Sequence, residues 1–182
     1  MEIEIRAKIN NLDNIEQNII KFGAKLIKEK GQVDKYFGEI NLYKKIGYSF
    51  LIRVRDEGDK KFMTYKGAKS KKDGVWEEYE FEIDDLKKYI EMFEAMGLEE
   101  VIVVKKYRKE YVLDSLTICL DVIDGLGNFI EIESKNSSDI NKDKLKKFIH
   151  KLNIKENQIL HKGYVTMLLL KNNSPYSKYI VN

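Results

Sequence analysis

Along most of this 182-residue chain apolar and polar residues alternate one for one, and in four places the rhythm lengthens to every third or fourth residue. The longer period predicts helices. One runs through "LDNIEQNIIKFGAKLIKE", with Ile15, Ile19, Phe22 and Leu26 on one stripe. A second, "DDLKKYIEMFEAMG", aligns Leu86, Ile90, Phe93 and Met96, capped by Asp84 or Asp85 and stopped by Gly97. "NKDKLKKFIHKLN" aligns Leu145, Phe148, Ile149 and Leu152, and an apolar stretch from Gln158 to Leu170 also reads as helix. The alternating stretches, rich in Val, Ile, Tyr and Phe, predict strands near 2–9, 33–38, 48–56, 61–67, 76–83, 101–111, 116–123 and 128–134. "KSKKDGVW" reads as a charged hairpin tip turning at Asp73-Gly74. The expected class is α+β, mostly antiparallel sheet with flanking helices.

An internal echo runs through this pattern. "EIEI" at 2–5, "EFEI" at 80–83 and "EIES" at 131–134 each put an acidic pair on a strand, and each is followed by an amphipathic helix. The units differ too much for a solenoid. They suggest one construction used more than once, in which a strand presents two acids and a helix covers its opposite, apolar face.

Because residues i and i+2 of a strand share a face, Glu2, Glu4, Arg6 and Lys8 form one row and Ile3, Ile5, Ala7 and Ile9 the other. The same division recurs. Arg53 and Arg55 oppose Ile52 and Val54; Lys66 opposes Tyr65; Glu78, Glu80 and Glu82 oppose Tyr79, Phe81 and Ile83. Lys106 and Arg108 oppose Lys105 and Tyr107, Asp121 opposes Leu120 and Val122, and Glu131 and Glu133 oppose Ile130 and Ile132. On any single strand such alternation marks a solvated face. Repeated this often in a small domain, it leaves two architectures: an open sheet with a broad charged face, or a sheet curled into a barrel with helices outside and charges within. Buried charges are costly without partners, so a charged interior makes sense only as a wet cavity for a charged guest. Arg6, Lys8, Arg53, Arg55, Lys66, Lys106 and Arg108 supply donors for phosphate oxygens, the arginines bidentately. Glu2, Glu4, Glu131 and Glu133 would repel phosphate directly and fit instead as hard oxygen ligands for Mg²⁺ or Mn²⁺. Acids and bases on common strands therefore point to a metal–polyphosphate site.

The totals sharpen this. Apolar residues make up 43% and charged residues 35%, so the chain reads as folded but rich in charge. Lys+Arg 33 against Asp+Glu 30 leaves a net charge of +3, which argues against a nucleic-acid binder. Cys119 is the only cysteine, excluding an internal disulfide or a Cys-rich zinc site. Acids follow Met1 directly with no apolar segment behind them, so no secretion signal is read and the cytoplasm is the expectation. The longest apolar runs, such as "VTMLLL", are too short to span a bilayer, so no membrane is expected. No linker interrupts the chain; residues 1–172 read as one domain and "NNSPYSKYIVN" at its end as a tail that could hold one short strand.

At this point the residues resemble a known family. "EIEIR" is similar to the ExExK signature of the CYTH superfamily, named for class IV adenylyl cyclases and thiamine triphosphatase. The match continues in order through "DKYF", "FLIRVR", "TYKG", "EEYEFEI", "VKKYRKEY", "CLDVIDGLGNFIEIE" and "GYVTMLL", covering roughly 1–170. "TYKG", "VKKYR" and "LDVIDGLGNFIEIE" most resemble the class IV cyclase-like branch. The resemblance implies an eight-stranded antiparallel triphosphate tunnel with helices outside. It implies Glu2, Glu4, Glu131 and Glu133 as metal ligands for Mg²⁺ or Mn²⁺, and the seven cations named above as triphosphate contacts. Glu78, Glu80 and Asp121 fall at acidic tunnel positions, and Asp121 is taken as catalytic. Arg6 stands where the signature has Lys, putting a planar fork in place of a point charge. Trp76 stands where many relatives have Arg; plain packing is preferred for it over stacking on a base.

The activity implied is adenylyl cyclase, in which the ribose 3′-OH of ATP attacks the α-phosphorus and pyrophosphate leaves. The close alternative is a triphosphatase that sets water against the terminal phosphorus of inorganic triphosphate, thiamine triphosphate or a nucleoside triphosphate. There the resemblance offers Lys66 and Tyr36 as a water-activating pair. A nucleotide or polyphosphate binding module is the non-enzymatic alternative, against which the four candidate metal carboxylates argue. ATP or another triphosphate is the expected partner, and a homodimer is the assembly the resemblance suggests. His150, His161 and the Lys runs at 69–72 and 144–147 read as surface. Cys119 reads as packing on the charged face. Tyr107 and Tyr111 could stack a base, with core or rim packing preferred.

Overall fold

The computed structural model describes residues 3–47, 49–68, 76–134 and 142–180. Nine strands and five α-helices are found among them: β1 (Ile3–Ile9), α1 (Leu12–Lys21), β2 (Lys25–Gly38), α2 (Ile40–Ile46), β3 (Phe50–Asp56), β4 (Lys61–Ala68), β5 (Trp76–Ile83), α3 (Leu86–Ala95), β6 (Glu99–Leu113), β7 (Leu116–Ile123), β8 (Gly127–Ser134), α4 (Lys142–Lys151), β9 (Ile159–Leu160) and α5 (Tyr164–Lys171). The sheet order is β5-β4-β3-β2-β6-β7-β8-β1-β9, with neighbouring strands running antiparallel. The α+β class holds. No pairing among the described residues joins the edge strands β5 and β9, and β9 adds a ninth strand to the eight expected. Among the described residues no helix is long and apolar enough to cross a membrane.

The chain divides into two compact units, 1–30 with 106–161 and 31–105 with 162–182. In the first, the apolar rows of β1 (Ile5, Ala7, Ile9), β7 (Ile118, Leu120) and β8 (Ile130, Ile132) meet Ile15 and Ile19 of α1 and Leu145 and Ile149 of α4 in one core. In the second, Phe37, Val54 and Ile83 meet Phe93 of α3. Apolar burial on the helix-covered side fixes strand register, because a one-residue slip would turn every charged side chain into the core.

The echo in the sequence is a structural one. β1 leads into α1, β5 into α3 and β8 toward α4. Each helix ends on a left-handed residue: Gly23 (φ +96°), Gly97 (φ +81°) or Asn153 (φ +61°). The same closing bond follows each time, from Ala24 N to Ile19 O, Leu98 N to Phe93 O, and Ile154 N to Ile149 O.

Several expectations are corrected. The first helix stops at Lys21, because Gly23 turns the chain; Phe22 is its cap and Leu26 lies in β2, both about half exposed rather than on a buried stripe. β2 starts at Lys25, not 33, and β6 runs Glu99–Leu113. The short α2 went unread; Glu39 caps it through Asn41 N and Leu42 N, and Gly47 ends it. The stretch from Gln158 holds β9 before α5 begins at Tyr164. The end of the chain forms a 3₁₀ turn over Pro175–Lys178 rather than a strand. Among the described side chains of β5 only Ile83 is buried, while Tyr79 and Phe81 are 52% and 55% exposed, because α3 packs on β3 and not along this edge strand. The hairpin tip expected at 69–75 lies outside the described residues, as do Glu2 and the side chain of Trp76.

Candidate active site

In the first unit the charged face is built by register. Arg6 lies opposite Glu131, and Glu4 opposite Glu133, across β1 and β8. Arg108 lies opposite Asp121 across β6 and β7. Arg108 donates to both oxygens of Asp121, Nε at 2.7 Å and Nη2 at 2.6 Å, and Nη2 also donates to Glu131 Oε2 at 2.6 Å. Arg6 Nη2 donates to Glu131 Oε1 and, at 3.3 Å, to Glu4 Oε1. Glu131 is thus shared by two arginines. Burial pushes its carboxyl up, but the Arg6 and Arg108 guanidinium groups outweigh burial and hold it at about 2. Lys106 is buried, and Lys8 is exposed with Nζ 6.0 Å from the centre of the Phe129 ring.

Glu4, Glu131 and Glu133 each bring a carboxylate oxygen within 4.8 Å of the others. Like charges set directly opposite, as Glu4 and Glu133 are, destabilise a sheet unless a cation lies between them. A trio of hard carboxylate oxygens suits Mg²⁺ or Mn²⁺. The residues present therefore fit a divalent ion.

The second unit repeats the theme with other residues. Arg53 donates to Thr64 Oγ1 through Nε (3.2 Å) and Nη2 (2.8 Å), and to Glu80 Oε2 at 2.7 Å. Arg55 donates to both oxygens of Asp34, at 2.6 and 2.8 Å, with Glu57 at 3.9 Å. Lys66 Nζ donates to Glu78 at 2.8 Å. Tyr36 lies opposite Arg53. Burial, reinforced by the Asp34 charge, pushes its phenol up to about 12, so it holds its proton at neutral pH. Lys66 lies opposite Leu51 and bonds Glu78, so it pairs with that acid rather than with Tyr36.

Asp34, Glu57 and Gln32 belong to this charged cluster, and sequence reading missed them. All three are buried, and Gln32 Nε2 donates to Glu57. The signal for Asp34 was its parity with Tyr36 in "DKYF", but a strand read as starting at 33 carried no buried face that far out. Tyr107 and Tyr111 are on the opposite face: the Tyr107 hydroxyl donates to Glu29, and the Tyr111 hydroxyl, in the core, to Glu16. Cys119 is buried, opposite Glu131, and burial pushes its thiol well up, which suits packing and not nucleophilic attack. His150 makes surface contacts with Ile154 O and Glu156.

These features define an antiparallel α+β protein whose strands carry ordered arginine–carboxylate pairs on one face. A model of the CYTH domain matches residues 1–164, and the chain belongs to that family. It is 35% identical over 174 residues, 92% of this chain and 98% of the relative, to a Methanocaldococcus jannaschii protein named "Putative adenylate cyclase". The structure of a Pyrococcus horikoshii protein is similar at 32% identity and TM-score 0.74, covering 91% of this chain and 98% of that one. A Hippeastrum protein, a "Putative adenylyl cyclase" described as having a dominant triphosphatase activity, shares the fold at 16% identity and TM-score 0.64. That likeness covers 95% of this chain and 96% of the other.

Proposed function

We propose that this protein is a divalent-metal-dependent enzyme acting on a triphosphate, and first that it is an adenylyl cyclase converting ATP to cyclic AMP and pyrophosphate. One observation carries the reading: three carboxylates converge beside two arginines that already share one of them. A site meant only to capture anions would be better without those carboxylates. The name of the Methanocaldococcus relative supports the cyclase choice. A triphosphate tunnel of eight strands, a single domain over 1–172 with a tail at 173–182, and a cytoplasmic setting belong to the same proposal.

Arg6, Lys8, Lys106 and Arg108 in one unit, and Arg53, Arg55 and Lys66 in the other, bind phosphate oxygens. Their donors are oriented in advance: Asp121 holds the Arg108 fork, Asp34 that of Arg55 and Glu80 that of Arg53, and Glu78 holds the Lys66 ammonium. Preorganised donors of this kind stabilise charge developing on the leaving group. Glu4, Glu131 and Glu133, with Glu2, would hold Mg²⁺ or Mn²⁺, which when bound offsets phosphate charge and lowers the pKa of the attacking hydroxyl. Asp121, with both oxygens engaged by Arg108, acts by positioning. Tyr36 donates a hydrogen bond from its retained proton.

A triphosphatase is the second reading, and a specific observation favours it. Tyr107 and Tyr111, two of the rings weighed for stacking on a base, face away from the charged side. The test is a product assay with ATP and, separately, inorganic triphosphate, each with Mg²⁺ and with Mn²⁺. Cyclic AMP with pyrophosphate establishes the cyclase. Orthophosphate without cyclic nucleotide establishes the triphosphatase. No product under any of these conditions overturns both and leaves a binding module.

A further inference from the structure

Both reactions need an acceptor for the proton of an attacking O–H, whether a ribose hydroxyl or water. The groups expected to serve are already engaged. Asp121 is fully buried with both oxygens taken by Arg108, Glu131 is held by two arginines, and the Tyr36 phenol keeps its proton. Glu4 and Glu133 belong to the carboxylate trio.

One carboxylate on the same face has no such duty. Glu110 lies opposite Cys119, Cys119 opposite Glu131, and Glu131 opposite Arg6, so the four form one row across β6, β7, β8 and β1. Its orientation is fixed by its neighbours. Lys109 and Tyr111 both bond Glu16 of α1 on the helical side, which turns Glu110 to the charged side. Glu110 is half-buried and, among the described residues, has no hydrogen bond or ion pair. With strands about 4.8 Å apart, it stands two strands, roughly 10 Å, from Glu131. It is outside the converging trio. A carboxylate there is repelled by phosphate oxygens and can only accept hydrogen bonds, so the group it suits is a hydroxyl or water.

We infer that Glu110 is a catalytic residue, the general base that takes the proton of the attacking O–H. The inference rests on the triphosphate-enzyme reading above. As the nucleophile's oxygen forms its bond to phosphorus, the O–H electron pair stays on that oxygen and the proton passes to a Glu110 carboxylate oxygen. The P–O bond to the leaving phosphate or pyrophosphate breaks with its electron pair, and Glu110 later returns the proton to solvent.

The experiment compares full-length wild type, Glu110→Gln and Glu110→Asp, with Mg²⁺ and each of ATP and inorganic triphosphate. Glu110→Gln should lower kcat by about 10²- to 10⁴-fold with KM changed less than about twofold. Glu110→Asp, which keeps the carboxylate but shortens its reach, should recover part of that loss. Melting curves and triphosphate binding by calorimetry, unchanged in Glu110→Gln, would exclude misfolding. An active wild type with equal kcat in Glu110→Gln overturns the inference and leaves the enzyme reading standing. So does a rise in KM with kcat unchanged, or a Glu110→Asp variant no better than Gln once both are shown folded. An inactive wild type overturns the enzyme reading itself, and this inference with it.

Discussion

Glu131 is the residue on which the first unit's charged face turns, and replacing it gives a stability prediction that can be worked through. In Glu131→Gln one neutral amide must serve two arginines, Arg6 and Arg108, whose side chains are only 12% and 16% exposed. Removing one partner of a buried ion pair costs about 3–5 kcal/mol, because a buried charge is left uncompensated. For a chain of this size each kcal/mol is worth about 2–4 °C, so the metal-free variant should melt roughly 6–20 °C below wild type at pH 7. A simple packing defect could do the same. The pH dependence could not.

The Glu131 carboxyl is held at about 2 against an ordinary 4.5. A folded-state pKa below the unfolded one adds stability that is present above the unfolded value and lost as pH falls toward the folded value. The full shift corresponds to about 3 kcal/mol. By linkage about 2 kcal/mol of it should be gone at pH 3. Wild type therefore loses this increment between about pH 5 and pH 3, while Glu131→Gln, which does not titrate, keeps what it has. The gap between them, measured by urea denaturation of EDTA-treated protein at pH 7 and pH 3, should narrow by about 2 kcal/mol. A gap constant across that range would refute the claim that Arg6 and Arg108 keep Glu131 ionised.

Other perturbations separate chemistry from fold. Glu4→Gln or Glu133→Gln should abolish metal-dependent turnover with little change in melting temperature; full activity in both would remove the carboxylate trio from the reaction. Arg53→Ala should chiefly weaken substrate binding, raising KM by about tenfold or more, the worth of one charge-assisted hydrogen bond. An unaltered KM and rate would take Arg53 out of the site. Gly67→Ala drives a Cβ into Tyr65 Oη and to 2.5 Å from Cζ, so the ring must leave its stack on Phe50. The expected cost is about 1–3 kcal/mol, read as a lower melting temperature with unchanged denaturant slope.

The charged face was legible because a strand's period of two is rigid. Once Ile5, Ala7 and Ile9 are committed to the core, Glu4, Arg6 and Lys8 have one direction left. Pairings across strands were not legible, since nothing in "EIEIR" says that Arg6 meets Glu131 and not Glu133. The same gap hid Glu110, whose row reaches Glu131 and Arg6 only through the pairing of β6, β7, β8 and β1. Element ends failed where a periodic stripe ran past a stop: Phe22 and Leu26 kept the helical spacing, but Gly23 had already ended the helix. α2 failed for the opposite reason, since seven residues are too few to display a period.

The near-balance of charge, which first argued against nucleic acid, has a physical counterpart in the site. Arg108 and Arg55 each give Nε and Nη2 to an aspartate, and Arg53 gives the same edge to Thr64 and Glu80. These forks are rigid before any ligand arrives, which lowers the entropy lost on binding. Their charge, however, is already matched by acids. A triphosphate brought to the charged face of either unit meets oriented donors but little net attraction, and the carboxylates beside them repel it. Binding strong enough for turnover then requires divalent cations between phosphate and carboxylate. Affinity for inorganic triphosphate, measured by calorimetry, should therefore fall sharply in EDTA, whereas a purely cationic sink would hold the ligand without metal. Equal affinity with and without Mg²⁺ would mean that the acids serve only to aim the arginines.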